Sequence, residues 1–108
     1  MAVEKTVSEA IHYRRSVRVF KNEAIDEEKV KQCLGLATLA ATSSNMQLWE
    51  FYHIVDSDKI QKIAKASFDQ NGAKTANQLV IVVARKDLWR KRKEANTTFL
   101  KTQFGDKK

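Results

Sequence analysis

The stretch Leu79-Val80-Ile81-Val82-Val83-Ala84 decides the fold. It is apolar throughout, and the β-branched residues at its centre favour extended backbone, because branching at Cβ stiffens χ1 and packs well on a pleated surface. A continuous run without polar alternation reads as a central strand covered on both faces, as in parallel or mixed sheets with helices above and below. Earlier in the chain, Phe51–Val55 is the other aromatic and β-branched stretch and supplies one neighbouring strand. A central strand asks for neighbours on both sides, and two strands alone make a marginal scaffold.

Helices surround these strands. Thr6-Val7-Ser8-Glu9 has the spacing of a capping box, which predicts a first helix over residues 7–14 ending at the arginines. Asp26 opens a second, with Glu27 and Glu28 suited to its positive end and Val30, Cys33, Leu34 and Ala37 as an apolar stripe, stopping near Ala41. The acids of Asp56–Asp58 start a third, with Ile60, Ile63, Ala64 and Phe68 on one side. A last helix begins after Asp87 and carries Leu88, Trp89, Ala95 and Phe99. On this pattern Cys33 and Trp89 are core residues. The expected architecture is α/β (α+β), a central mixed sheet flanked by helices. Residues 1–108 would then be a fragment of a single domain, or a chain that needs a partner to finish its core.

Of 108 residues, 43% are hydrophobic and 31% charged, an ordinary globular balance, and no apolar run approaches the roughly 20 residues of a membrane span. The opening MAVEKTVSEA does not read as a signal peptide, and the lone Cys33 has no intrachain disulfide partner; both fit a cytoplasmic setting. The net charge of +7 implies attraction to anions without saying which. Its distribution says more. Six of the 20 basic residues fall within Arg85–Lys93, and three are Arg14, Arg15 and Arg18.

Two stretches could carry chemistry. In Arg14-Arg15-Ser16-Val17-Arg18, three guanidiniums and a hydroxyl can hold a phosphate through charge-assisted bonds. The plainer reading is that arginines favour a helix C-terminus. In Ala41-Thr42-Ser43-Ser44-Asn45-Met46-Gln47-Leu48-Trp49, short hydrogen-bonding side chains sit directly before a strand, where they suit the polar rim of a flat heterocycle. An ordinary capped loop anchored by Trp49 is the alternative.

Taken together, RRSVR after a short helix, an acid-started second helix, and TSSNMQLW leading into EFYHIV resemble the nitroreductase family of FMN-dependent enzymes. The resemblance covers about residues 5–85. It implies that Arg14, Arg15, Ser16 and Arg18 surround the FMN phosphate, ribityl chain and flavin edge in one subunit of a homodimer. Thr42, Ser43 and Asn45 would reach the same FMN from the other subunit, and Asn71 and Lys74 would touch the flavin edge. Ala41 and Leu48 stand where the family usually has prolines, and this chain has none. The activity implied is an oxidoreductase taking hydride from NADH or NADPH and passing electrons to nitro compounds, quinones or similar small acceptors. The flavin supplies that chemistry, and no side chain stands out as a catalytic acid or base.

Two other functions stay open on the sequence: a flavin-free remnant without activity, and a basic nucleic-acid-binding module using Arg85–Lys93 with Trp89 as a stacking group. The second lacks any recognisable binding module. His12 and His53 have no cysteine or paired-carboxylate partner at metal-ligand spacing, so no metal is expected.

Overall fold

The computed structural model describes residues 3–105. Helix α1 (Val7–Tyr13) begins at Thr6, whose backbone N–H donates to Glu9 Oε2 at 2.8 Å while its hydroxyl accepts from the Glu9 N–H at 3.3 Å. Helix α2 (Glu27–Ala37) is capped by Asp26, whose carboxylate accepts from the Glu28 N–H at 3.0 Å. It stops short of the expected Ala41. The Thr38 hydroxyl donates to the Gly35 carbonyl at 2.6 Å, and the last amides tighten onto carbonyls three residues back, from Leu39 to Leu36 and from Ala40 to Ala37.

A short 3-10 turn, Ser43–Asn45, leads into strand β1 (Trp49–Ile54). Helix α3 (Ser57–Ala66) follows, capped by Asp56, which accepts from the amides of Asp58 and Lys59 at 2.8 and 3.2 Å. Then come the five-residue helix α4 (Asn71–Thr75) and strand β2 (Leu79–Ala84). A second 3-10 turn, Lys86–Leu88, precedes helix α5 (Trp89–Phe104).

The strands pair antiparallel, with Trp49 opposite Ala84, Phe51 opposite Val82 and His53 opposite Val80. The pairing meets the expectation that the Phe51–Val55 stretch supplies one neighbour of 79–84. Among the described residues β2 has β1 as its sole neighbour, and its side chains alternate: Leu79, Ile81 and Val83 are half-buried while Val80 and Val82 are exposed. The run is apolar on both faces, but only one of them is covered among the described residues.

Among the described residues the buried apolar ones are Ile60 and Ala64 of α3, one helical turn apart, and α3 packs against α4. Two expected core residues lie elsewhere. Cys33 is exposed, because α2 covers the line Val30, Leu34, Thr38, from which Cys33 is rotated by about 100°. Phe68 is 92% exposed, because α3 ends at Ala66 and the chain turns away after its cap Ser67. The ending is a Schellman motif, with the Asp69 amide on the Ala64 carbonyl at 2.9 Å and the Phe68 amide on the Lys65 carbonyl at 3.2 Å. That motif puts Phe68 at φ 58°, in the left-handed region where glycine is usual.

Many large apolar side chains stand in water, Ile11, Leu39 and Val82 among them. The radius of gyration is 18.8 Å, against about 13 Å for a close-packed domain of about 100 residues.

Candidate functional site

Residues 14–26 form neither helix nor strand, so their placement depends on specific ties to the rest of the chain. This arm starts at the end of α1. There Arg15 turns back, its Nη1 donating to the carbonyls of His12 at 2.7 Å and Arg14 at 2.9 Å. For Arg15 the plain reading of a helix-end arginine therefore describes the geometry. Arg14 points the other way, its Nη1 lying 3.5 Å from Ser16 Oγ.

Further along, the arm runs beside α4. Ser16, Val17 and Arg18 of the arm, together with Gln70, Asn71 and Gly72, line a cavity of about 420 Å³. A Cβ built on Gly72 would lie 3.9 Å from the Arg18 carbonyl, so the two segments are in ordinary van der Waals range. Three residues singled out in the sequence, Ser16, Arg18 and Asn71, thus share one cavity although more than 50 positions separate Arg18 from Asn71. Lys74 does not line it. It lines a neighbouring cavity of about 330 Å³ with Phe20, Ser57, Ile60 and Thr75.

Thr42, Ser43 and Asn45 are not among the residues around Ser16 and Arg18. Their loop is held by its own polar groups: the Thr42 hydroxyl accepts from the Gln47 N–H at 3.1 Å, and Gln47 Nε2 donates to Asn45 Oδ1 at 3.2 Å. Asn96 of α5 adds a bond from Nδ2 to the Ser44 carbonyl at 2.6 Å. Ser44, Asn45 and Gln47 have φ of 50°, 51° and 52°. Such left-handed backbone in non-glycine residues is costly and persists where the surroundings fix it.

Several residues at the arm were not singled out in the sequence. Thr75 Oγ1 accepts from the Phe20 N–H at 2.9 Å and donates to the Asn71 carbonyl at 2.6 Å. Gln78 Nε2 donates to the Ile25 carbonyl at 2.8 Å, while Gln78 Oε1 lies 2.6 Å from His53 Nε2. Their signal was absent because a threonine and a glutamine before a strand are unremarkable until the arm is seen to lie on them. The apolar flank of the arm, including Val17, Val19, Phe20 and Ile25, lines a further groove of about 420 Å³.

The basic cluster after β2 is partly neutralised. Arg85 donates from Nη1 to Glu50 and grips Asp87 in a fork, with Nε to Oδ1 at 3.0 Å and Nη2 to Oδ2 at 2.8 Å. Bonding to Arg85 holds the carboxyls of Glu50 and Asp87 below the usual carboxylate range, and the Glu50 carboxylate pushes the Tyr52 phenol up. Trp89, expected in the core, is 41% exposed, with the Arg90 guanidinium 5.4 Å and the Lys93 ammonium 6.0 Å from its ring.

The arrangement has close counterparts. The profile of the Nitroreductase family matches residues 11–104. A protein of Archaeoglobus fulgidus carrying the provisional name NADH dehydrogenase/NAD(P)H nitroreductase is 30% identical over 74 residues, which cover 68% of this chain and 42% of that protein. Among solved structures, a provisionally named nitroreductase of Exiguobacterium sibiricum in complex with FMN superposes with a TM-score of 0.69 at 27% identity, covering 91% of this chain and 49% of that one. A provisionally named NADH oxidase of Clostridium acetobutylicum gives 0.64 at 29% identity, covering 82% and 57%. The chain therefore spans roughly half the length of these relatives. Among the described residues no helix is long and apolar enough to cross a membrane. With the arm, the hydroxyl-rich loop and the β2 strand all inside the matched span, this chain belongs to the nitroreductase family.

Proposed function

We propose that these residues form part of the FMN site of a homodimeric NAD(P)H-dependent oxidoreductase that reduces nitro compounds, quinones or similar small acceptors. The 108 residues correspond to the N-terminal part of one flavin-binding domain. The observation that carries this reading is the meeting of Ser16 and Arg18 with Asn71 around one cavity. A guanidinium, a hydroxyl and a carboxamide are the donor set that a phosphate and the edge of a flat heterocycle need, so the residues fit the group.

When bound, FMN supplies the redox chemistry, taking hydride from a nicotinamide donor and passing electrons to the acceptor. The chain's own residues bind and orient. Arg18 and Arg14 bring fixed positive charge to the arm, and the Ser16 hydroxyl, 3.5 Å from Arg14, is placed to donate to an anion. Asn71 offers both a donor and an acceptor to the flavin edge. Arg15 contributes mainly by finishing α1, which sets where the arm departs. Lys74, one turn along α4 from Asn71, adds charge beside the same helix. Thr42, Ser43 and Asn45 would serve the cavity of a second copy, which accords with their absence from the cavity of their own chain. A cytoplasmic location goes with the nicotinamide donor.

The test is flavin retention. The chain is mixed with FMN, freed of unbound ligand by gel filtration, and its visible spectrum recorded across the protein peak. Flavin absorbance at the elution volume of a dimer, reduced in Arg18→Ala and Asn71→Ala, supports the proposal. A colourless peak shows that these residues do not suffice to hold the cofactor.

A further inference from the structure

The arm that carries Ser16 and Arg18 has no backbone ladder to place it, yet it meets α4 closely enough to form a shared cavity. Among its described ties to other elements are two side-chain bonds. One is the Thr75 hydroxyl, whose single proton goes to the Asn71 carbonyl at 2.6 Å and whose lone pair takes the Phe20 N–H at 2.9 Å. The other is Gln78, whose Nε2 holds the Ile25 carbonyl. Because that amide nitrogen is committed as donor, Gln78 Oε1 faces His53 as acceptor, so His53 Nε2 carries the hydrogen between them.

These ties are not equivalent. Gln78 holds the arm at Ile25, seven residues beyond Arg18, beside the entry to α2. Thr75 holds it at Phe20, two residues beyond Arg18, and anchors at the same time to the backbone of Asn71, which lines the same cavity as Arg18. One hydroxyl therefore ties the arm to α4 beside that cavity.

We propose that Thr75 is a positioning residue for the cofactor cavity: its hydroxyl sets the spacing between the arm bearing Ser16 and Arg18 and the α4 residue Asn71. The consequence for flavin rests on the function proposed above; the clasp itself does not. Valine has the shape of threonine without the hydroxyl and breaks both bonds, whereas serine keeps both.

The experiment compares the parent chain with Thr75→Val and Thr75→Ser, measuring FMN affinity by quenching of flavin fluorescence and exchange of the Phe20 amide by NMR. In Thr75→Val the Phe20 amide exchanges faster and FMN binds roughly 5- to 10-fold more weakly, the scale of one or two lost hydrogen bonds. In Thr75→Ser both return to within about threefold of the parent, a rescue that general loosening of the fold would not give. Thr75→Ala serves in place of valine if the latter does not fold. Parent-like exchange and affinity in the hydroxyl-free variant overturn the proposal, as does an equal loss in Thr75→Ser. If the parent chain itself binds no FMN, these residues alone do not suffice to hold the cofactor, and the Phe20 exchange still decides whether Thr75 holds the arm.

Discussion

Replacing Phe68 with glycine should make the chain more stable, although it deletes one of the largest apolar side chains. Phe68 follows the last turn of α3, 92% exposed, at φ 58°, with its amide and that of Asp69 closing a Schellman motif. Left-handed backbone costs an L-residue roughly 1–2 kcal/mol, and glycine avoids it. Against this, glycine loses about 0.5–1 kcal/mol more backbone entropy on folding. An exposed ring forfeits little burial, so the balance is a gain of about 0.5–1 kcal/mol, or a melting temperature higher by roughly 2–8 °C for a chain of this size. Thermal unfolding followed by circular dichroism reads the shift directly. Had Phe68 been packed with Ile60 and Ala64, as the helical spacing predicts, removing its ring would cost about 3–5 kcal/mol instead. The two accounts differ in sign, so a fall in melting temperature refutes the reasoning.

Ile60, 2% exposed on the same helix, should behave oppositely: Ile60→Ala is expected to cost about 2–5 kcal/mol, and a loss below about 1 kcal/mol in denaturant unfolding would show that α3 is not where the chain packs. The Arg85 fork makes a pH prediction. Glu50 and Asp87 have carboxyl pKa values lowered chiefly by bonding to Arg85, so their contribution is present above the ordinary carboxylate range and is lost as pH falls through the lowered values. Stability of the parent should therefore fall on acidification below about pH 4.5, and Arg85→Gln should flatten that fall; equal acid sensitivity in both chains would contradict it.

Where local chemistry decides structure, the residues are readable in order. Thr6 with Glu9, Asp26 and Asp56 each satisfy helix-start amides with their own side chains, and the helices begin where those residues stand. The β-branched run of Leu79–Ala84 is a strand as its composition requires. Its neighbour β1 is legible as the other aromatic and β-branched stretch, but the antiparallel direction of their pairing is not encoded in either stretch alone. The end of α3 escapes for a different reason: a Schellman motif normally announces itself with glycine, and here phenylalanine occupies the position. For the candidate site, Ser16, Arg18 and Asn71 were identified through resemblance to a family, and the fold then brings them around one cavity. Thr75 and Gln78 went unread, because a side chain that holds an irregular arm is visible only once the arm has been placed.

The sparse interior of this chain bears on what its stability means. Ile60 and Ala64 are buried, while side chains such as Ile11, Leu39 and Val82 remain in water. Anything that covers those surfaces in the folded chain alone, a second copy included, shifts the folding equilibrium by mass action, with each tenfold rise in its concentration above saturation adding about 1.4 kcal/mol. Where a second copy provides the cover, the melting temperature rises with protein concentration, and dilution acts on the chain as a denaturant does.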